Sequence, residues 1–176
     1  ILRSHGIIKN KKQPWKYSVN ELGYNYRLTD IQSALGISQL KKLKKFISRK
    51  KEIAKIYDKK LKNIDFFKTP KVQPNMSHSY HLYPLKINFD KLRINKDTLL
   101  KKLRSKGINL QVHYIPIYHH NLYKIKDKSK FPNTENFFKQ AVSLPIYFSL
   151  KNNQVMLIIK TLLKLVFSNL KNNSKI

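Results

Sequence analysis

A long amphipathic segment without proline most constrains the fold of this chain. From Leu28 to Leu61 the apolar residues recur mainly three and four positions apart, with lysines between them. This period is that of an α-helix with one apolar face. Thr29 and Asp30 stand at its start as capping candidates. We expect a helix over residues 28–62, longer than the roughly 8–20 residues typical of globular helices, which bridges two bodies or packs against a partner.

Beyond this helix the apolar pattern alternates between the periods of strands and helices. The order is strand, helix, strand, helix, strand, helix, which predicts an α/β arrangement in which a small sheet is backed by helices. Pro84 interrupts the first strand, and because proline donates no backbone hydrogen bond we expect an edge position or a bulge there. The predicted strands cover residues 79–88, 108–117 and 141–147, and the predicted helices cover residues 95–106, 134–140 and 151–169.

Composition narrows the class of protein. The chain has 176 residues, of which 41% are hydrophobic, and a chain of this length buries enough apolar surface to form a core. It contains no cysteine, which excludes disulfides, zinc fingers, iron–sulfur clusters and thiol nucleophiles from this sequence.

The formal net charge of +28 points to nucleic acid, but the distribution of the charge argues against that partner. Of the 37 basic residues, 32 are lysine and 5 are arginine, and the lysines occur in every segment. Sequence-specific nucleic-acid readers use arginine for bidentate base contacts and clustered aromatic residues for stacking. We therefore expect no nucleic-acid partner, and a basic module that binds anions or nucleic acid is the alternative interpretation.

No segment is suited to export or to membrane insertion. The apolar start of the chain is short and is interrupted by Arg3 and His5, unlike a signal peptide. The longest apolar stretch, residues 155–167, is broken by two lysines and is shorter than the roughly 20 residues that span a bilayer. We expect no membrane partner and a cytoplasmic location.

The residues just before the long helix are candidates for binding an anion. They combine a glycine, a side-chain amide and a guanidinium at a helix N-terminus, in the order Gly23, Tyr24, Asn25, Tyr26, Arg27. The helix dipole, free backbone N–H groups and arginine all favour a phosphate group at such a position. Ordinary helix capping is the other interpretation, because asparagine and aspartate are common near helix starts.

The histidines form a second set of candidates. His5 lies beside Arg3 in a compact polar group suited to an anion, and His113 lies in a predicted strand, where it is placed for a substrate contact. His78 and His81 are expected on opposite faces of a strand, and the 9 acidic residues are scattered. We therefore expect no metal site, since metal ligands need converging partners and a supporting outer shell.

Several segments resemble the DegT/DnrJ/EryC1/StrS aminotransferases. The first are LRSHGI at residues 2–7 and ELGYNYRLTDIQSALGISQLKKLKKFISRKKEIAKIYDKKL at residues 21–61. HSYHLYPLKI, GINLQVHYIPIYHHNLY and FPNTENFFKQAVSLPIY follow in the order and rough spacing of the C-terminal part of that family. Within the family, the QVHYIPI segment is similar to the transaminases of pseudaminic acid synthesis.

The resemblance implies a fold, a cofactor and a reaction. The fold is the C-terminal small domain of a fold-type-I aminotransferase, with a long bridging helix and a small sheet backed by helices. Such enzymes use pyridoxal 5'-phosphate as an electron sink and form homodimers with shared active sites. The implied reaction moves an amino group from glutamate to C4 of a UDP-linked 4-keto-6-deoxy sugar, and an aminotransferase for another UDP-4-keto sugar is the alternative.

The resemblance also assigns roles to residues of this chain. Asn25 matches the asparagine of the family's GxNxR motif and is expected to reach the cofactor phosphate of the neighbouring subunit. Tyr24 and Arg27 flank it and complete the expected cofactor site. The residues expected to contact the substrate are His5, His113 and Tyr114.

The family's catalytic lysine has no counterpart in this sequence. The Schiff-base lysine and the aspartate that pairs with the pyridine nitrogen precede the LRSHGI motif in the family, and none of the 32 lysines lies in the family's lysine motif. No catalytic residue is therefore assigned, because such a lysine must be desolvated and positioned. We expect this chain to be the C-terminal part of such an enzyme and inactive alone. A subunit that completes the active site of another chain is an alternative.

The resemblance further implies a domain organisation. The expected parts are the end of the large cofactor domain at residues 1–27, the bridging helix at 28–62, the small α/β domain at 63–170 and a frayed tail at 171–176.

Overall fold

A computed structural model of the chain describes residues 1–13, 15–123 and 127–171. The chain divides into two compact units, residues 1–44 and residues 45–176, each of which is described by itself. In chain order the elements are β1 (Ile7–Lys9), β2 (Tyr17–Val19), α1 (Asp30–Leu61), β3 (Phe67–Lys68), β4 (Tyr83–Ile87), α2 (Lys96–Arg104), α3 (Pro132–Gln140), β5 (Ala141–Leu144) and α4 (Asn152–Phe167). Short 3-10 turns lie at Phe89–Lys91, Ile117–His119 and Lys128–Lys130.

The long helix α1 runs from Asp30 to Leu61, where the apolar period predicted a helix over residues 28–62. A capping box closes its first turn. The Thr29 hydroxyl accepts from the Gln32 N–H at 3.3 Å, and the Gln32 side chain accepts from the Thr29 N–H at 2.9 Å. Of the two capping candidates, Thr29 is therefore the residue that caps the helix.

The two halves of α1 differ in burial. Ile53, Tyr57 and Leu61, in the second unit, are buried in its core. In the first unit, apolar residues of the same helix are exposed, with Ile31 at 83% and Leu40 at 68% of full exposure. Because burial of a large apolar side chain is worth about 1.5–3 kcal/mol, only the C-terminal half of α1 contributes strongly to a core in this chain.

The first unit contains a short antiparallel hairpin that the apolar pattern did not predict. β1 pairs with β2, with Ile7 opposite Val19 and Lys9 opposite Tyr17. Each strand has three residues and is largely exposed, so neither carries the alternation of buried and polar residues by which strands are recognised in a sequence.

The centre of the second unit is a three-stranded antiparallel sheet in the order β3-β4-β5. Residues of β4 alternate between buried and partly buried, while all four residues of β5 are buried. Helices α1, α2 and α4 contribute apolar side chains to the same core. The fully buried residues include Ile53, Tyr57, Leu61, Tyr83, Leu85, Ile87, Leu99, Leu103, Val155 and Leu162.

The prediction of an edge position or a bulge at Pro84 is wrong for the strand, because β4 is the central strand, but among the described residues the side of Pro84 that faces away from β5 has no strand partner. Pro84 lies opposite Ser143 of β5, and the backbone N–H and C=O of Ser143 both bond to Gln111 on the far side of β5. The Pro84–Ser143 pair is therefore of the type without mutual hydrogen bonds, where the missing N–H of proline costs nothing. On its other side β3 pairs only with Lys86 and Ile87 and does not reach Pro84.

The prediction of a strand over residues 108–117 is also wrong. Only Gln111 of this segment pairs, through backbone hydrogen bonds of 2.7 and 3.2 Å with Ser143. Pro116 then leads into the 3-10 turn at Ile117–His119, and proline cannot donate to a continued ladder. The two-residue strand β3 supplies the third strand of the sheet instead.

The helix predicted over residues 95–106 runs from Lys96 to Arg104, which is one residue shorter at its start and two residues shorter at its end. The Asn95 side chain caps α2 by accepting from the Thr98 N–H at 2.9 Å. Three residues beyond the last helical residue, Gly107 has φ of +75°, a left-handed conformation that glycine adopts at least cost and that stops the helix from continuing, as predicted.

Two hydroxyl groups inside the second unit find partners. Tyr57 of α1 donates to the Pro145 carbonyl at 2.8 Å, and Tyr83 of β4 donates to the Asp58 carboxylate at 2.6 Å. Burial raises the pKa of both phenols, so both remain protonated donors near neutral pH.

The domain organisation at residues 1–27, 28–62 and 63–170 refers to a longer protein and stays a prediction. Of the predicted tail at 171–176, residues 172–176 lie outside the described part of the chain. Among the described helices, none combines the length and the apolar character needed to cross a bilayer.

Candidate functional site

The segment predicted to bind a phosphate lies against the N-terminal loop and is held there by backbone hydrogen bonds. The His5 N–H donates to the Tyr24 carbonyl at 2.9 Å, the Tyr24 N–H to the Leu2 carbonyl at 2.8 Å, and the Tyr26 N–H to the Arg3 carbonyl at 2.9 Å. The LRSHGI and GYNYR motifs therefore form one structural element, which we call the crossing (residues 2–7 and 23–27).

Two glycines permit this close approach. Gly6 has φ of +70°, and a Cβ added to it would overlap the Glu21 carbonyl. A Cβ added to Gly23 would overlap the backbone N of Gly6 and the carbonyl carbon of His5. A larger residue at Gly23 would push the two motifs apart, and one at Gly6 would push the first motif away from Glu21.

The crossing brings three predicted site residues together. Arg27 Nε donates to Asn25 Oδ1 at 3.2 Å, and Arg27 Nη2 lies 3.1 Å from His5 Nε2. Because a guanidinium only donates, His5 accepts through Nε2 and carries its ring proton on Nδ1. With its oxygen accepting from Arg27, Asn25 presents its NH₂ group as a donor. All three side chains are exposed, so the group offers hydrogen-bond donors and one positive charge to an incoming oxyanion.

The side chain of Tyr24 lies apart from this group. Its ring stacks on that of Tyr26, with centroids 5.0 Å apart and planes 8° from parallel. Because side chains alternate along an extended segment, Tyr24 and Tyr26 share one face while Asn25 and Arg27 share the other. The crossing thus has a polar face and an aromatic face.

His113 and Tyr114 lie in the second unit. His113 Nδ1 is 2.8 Å from the hydroxyl of Ser143, and Tyr114 is 74% exposed. The peptide bond between His113 and Tyr114 is cis. His113 lines a cleft of about 350 Å³ whose described lining contains no Lys, Arg, Asp or Glu side chain. The polar ones are His81, Asn109, Gln111, His113, Ser143 and Tyr147.

A second polar cluster joins the 3-10 turn at Ile117–His119 to α3, and the sequence interpretation missed it. The Glu135 carboxylate accepts from His119 Nε2 at 2.6 Å and from the Tyr118 hydroxyl at 2.8 Å. The Tyr118 ring also stacks on Phe131, with centroids 4.4 Å apart. Hydrogen bonds from His119, and then from Tyr118, lower the pKa of the Glu135 carboxyl below its ordinary value of 4.5.

Glu135→Gln should make the chain less stable at neutral pH. It should also make the stability less dependent on pH in the acidic range. A depressed carboxyl pKa contributes stability above about pH 4.5, and this stability is lost as the pH falls through the lower pKa of the folded state. The difference in melting temperature between the native chain and the variant should therefore shrink from pH 7 toward pH 3. A difference that is constant over that range would contradict this account, and Glu21→Gln, an exposed acid in the first unit, is the matched control.

The described residues contain no group of three His, Cys, Asp or Glu side chains arranged to hold a metal ion. His78, one of the histidines considered for metal binding, accepts through Nδ1 from the Tyr80 N–H at 2.9 Å.

Comparison with known proteins places these features in a family. The model of the DegT/DnrJ/EryC1/StrS aminotransferase family matches residues 1–163, which is more than half of the chain. The chain belongs to this family. The resemblance of the LRSHGI and GYNYR motifs is thereby confirmed.

Individual members of this aminotransferase family support the assignment. The UDP-4-amino-4,6-dideoxy-N-acetyl-beta-L-altrosamine transaminase of Campylobacter jejuni is 42% identical over 84% of this chain and 39% of its own length. The solved structure of Helicobacter pylori PseC, an aminotransferase involved in the biosynthesis of pseudoaminic acid, superposes with a TM-score of 0.73 at 34% identity, over 95% of this chain and 44% of that one. The sugar aminotransferase Spr1654 of Streptococcus pneumoniae, solved in its PLP form, gives a TM-score of 0.79 at 26% identity, over 97% of this chain and 43% of that one.

The matches confirm the predicted fold class, the C-terminal α/β part of a PLP-dependent aminotransferase. The chain spans less than half the length of the relatives it matches. Aminotransferases of this family depend on pyridoxal 5'-phosphate, as predicted from the resemblance.

The residues of the crossing fit the phosphate group of that cofactor. A phosphate is a dianion with several acceptor oxygens, and Arg27 and Asn25 provide a cationic donor and a neutral donor on one face of a rigid backbone. The capping box occupies the Gln32 N–H in the first turn of α1, so this N–H does not serve the phosphate. The role of each residue stays a prediction.

Two residues of the aminotransferase chain were missed by the sequence interpretation, and the sequence contains a usable signal for one of them, Ser143. Ser143 is the polar residue in the otherwise apolar run AVSLPIY, and a polar residue in a predicted buried strand demands a partner. Glu135 is one of only 9 acidic residues and follows two neighbouring histidines by 15 or 16 positions, but nothing in the spacing showed that they meet.

Proposed function

We propose that this chain is part of a PLP-dependent transaminase that transfers an amino group from glutamate to C4 of a UDP-linked 4-keto-6-deoxy sugar, in the synthesis of nucleotide sugars for surface glycans. The observation that carries the proposal is the donor group of His5, Asn25 and Arg27 on the crossing, within a chain that belongs to a sugar aminotransferase family. The Campylobacter jejuni relative, a UDP-4-amino-4,6-dideoxy-N-acetyl-beta-L-altrosamine transaminase, supports the substrate class.

The proposed roles follow from the chemistry of the side chains. Arg27 and the Asn25 amide bind the cofactor phosphate, Tyr24 flanks them, and the rigid backbone beneath keeps both donors in place. When bound, pyridoxal phosphate supplies the electron sink on which amino transfer depends. Residues that hold the phosphate would limit the movement of the cofactor relative to this chain. The residues proposed to contact the sugar nucleotide are His5, His113 and Tyr114.

We propose further that the phosphate belongs to a neighbouring subunit in a homodimer. The exposure of Asn25 and Arg27 supports this, because a site formed by two chains must leave its donors accessible from outside each chain. The chain alone is expected to be inactive, since no lysine in it is assigned to hold the cofactor covalently. The cytoplasmic location stays a prediction.

A chimera tests the proposal. We put this chain in place of the 39% of the Campylobacter jejuni transaminase that it matches, keep the rest of that enzyme, and measure amino transfer from glutamate to the UDP-4-keto sugar. Arg27→Gln in the chimera should lower the affinity for pyridoxal phosphate about 10- to 100-fold, because a hydrogen bond to a charged group is worth about 1.5–3 kcal/mol. Arg104→Gln, at the end of α2, removes the same charge and should change the affinity little.

Two results would contradict the proposal. One is a folded, dimeric chimera without transaminase activity. The other is equal loss of cofactor affinity in the Arg27 and Arg104 variants, which would assign the effect to net charge. Parallel assays with other UDP-4-keto sugars separate the proposed substrate from the alternative within the family.

A further inference from the structure

Ser143 is a buried polar residue in the middle of an apolar strand. Only 6% of its surface is exposed, and among the described residues it is the one polar side chain classed with the buried core. All its neighbours in β5, Ala141, Val142 and Leu144, are apolar and buried. Burial of a hydroxyl at such a position costs free energy unless the hydroxyl is hydrogen bonded, so Ser143 needs a hydrogen-bond partner.

The position of the Ser143 hydroxyl is fixed by its backbone. The Ser143 N–H donates to the Gln111 carbonyl at 2.7 Å, and its carbonyl accepts from the Gln111 N–H at 3.2 Å. Opposite lies Pro84 of the central strand β4. Neighbours on both sides therefore hold the residue in register, and the hydroxyl can adopt only the few staggered orientations of its one side-chain torsion.

The partner of this hydroxyl is His113, two residues beyond Gln111. The oxygen of Ser143 lies 2.8 Å from His113 Nδ1, a good hydrogen-bond distance. A neutral imidazole has one donor and one acceptor nitrogen, so the role of Nδ1 decides the role of Nε2.

The need to satisfy a buried donor selects one direction for this bond. If His113 donated from Nδ1, the Ser143 proton would need another acceptor, and the described residues show no second hydrogen bond from this hydroxyl. If Ser143 donates to Nδ1, its only proton is used, and no buried donor is left without a partner.

We infer that Ser143 is a positioning residue whose hydroxyl donates to His113 Nδ1 and so presents His113 Nε2–H as a hydrogen-bond donor to the ligand in the cleft. The identity of that ligand rests on the proposed function and is the sugar nucleotide. Because no lysine or arginine lines the cleft among the described residues, the acceptor is an uncharged hydroxyl or carbonyl oxygen of that molecule. Its diphosphate would instead require cationic partners.

NMR of the imidazole nitrogens in the 176-residue chain tests the direction of the bond. At about pH 9, where imidazoles are neutral, His113 Nδ1 should give the signal of an unprotonated nitrogen that accepts a hydrogen bond. Ser143→Ala should move this signal to the position of a free imidazole nitrogen, and Ser143→Thr should restore it. His113→Gln identifies the signals. Ser105→Ala, which removes a hydroxyl bonded to the Lys102 carbonyl, is the matched control and should leave His113 unchanged.

A protonated Nδ1 in the native chain would overturn the inference, as would an Nδ1 signal that Ser143→Ala leaves in place. If Ser143→Ala does not fold, Ser143→Cys provides the same comparison with similar volume and a weak donor. In the chimera, Ser143→Ala should raise KM for the sugar nucleotide about 2- to 10-fold with little change in kcat, and Ser143→Thr should reverse the effect. The NMR result does not depend on transaminase activity, so a failure of the proposed function and a failure of this inference are distinguishable.

Discussion

Gly23→Ala is expected to dismantle the crossing and with it the proposed phosphate site. The new Cβ would overlap the backbone N of Gly6 and the carbonyl carbon of His5, atoms that cannot move without breaking the backbone hydrogen bonds of the crossing. Backbone overlap of this kind is relieved only by separation of the two segments. The N–H groups of His5, Tyr24 and Tyr26 should therefore lose protection from hydrogen exchange.

The loss of cofactor affinity in the chimera should be at least as large for Gly23→Ala as for Arg27→Gln, about 100-fold or more by the same hydrogen-bond energies, since Asn25 and Arg27 lose their common support. Gly36→Ala is the matched control. It makes the same chemical change within α1, where nothing lies within 4 Å of the added Cβ, and it should be neutral or stabilise the helix by up to about 1 kcal/mol. Protection that survives in the Gly23 variant would show that the two motifs do not depend on this contact.

The features that could be predicted from the sequence are those set by local chemistry. The helix α1 follows from a 3.6-residue period over about nine turns and from a capping residue at its start, and both signals lie within the segment itself. The same holds for α2, which begins at the cap Asn95 and ends before Gly107. In these cases each residue contributes its information through neighbours three or four positions away.

The strands were harder to predict because their pairing depends on distant residues. The pattern of residues 108–117 resembles a strand, yet only Gln111 finds a partner. β3 has two residues and no detectable pattern, but it completes the sheet because Phe67 lies opposite Ile87. Pro84 is tolerated in the central strand because the facing residue of β5 makes its backbone hydrogen bonds on the far side and β3 does not reach Pro84. No local sequence pattern contains this information.

The candidate site shows the same division. The composition of the GYNYR segment indicated anion binding, and the structure explains why its donors are organised, since His5 is hydrogen bonded to Arg27 across 22 positions of sequence. The contact of Ser143 with His113, separated by 30 positions, likewise arises from the register of β5 with Gln111. The residue types of a site can be recognised locally, but their mutual orientation is a product of the fold.

Leu162→Ala should destabilise the second unit strongly. Leu162 is completely buried on the inner face of α4, in the core that also contains the sheet residues supporting Ser143. Truncation of a buried leucine removes its transfer free energy and leaves a cavity, at a cost of about 2–5 kcal/mol. For a chain of this size each kcal/mol lowers the melting temperature by roughly 2–4 °C. Thermal unfolding followed by circular dichroism measures the change.

Leu157→Ala is the control that separates core packing from helix formation. It makes the same substitution in the same helix at a position that is 57% exposed, and it should change stability by no more than about 0.5 kcal/mol. Similar destabilisation by the two variants would mean that α4 does not pack as described. A large difference between the two variants would instead show that the position of the sheet depends on α4. The His113 signals in Leu162→Ala should then broaden together with the loss of stability. The reason is that Ser143 can orient the imidazole only while β5 is held between Pro84 and Gln111.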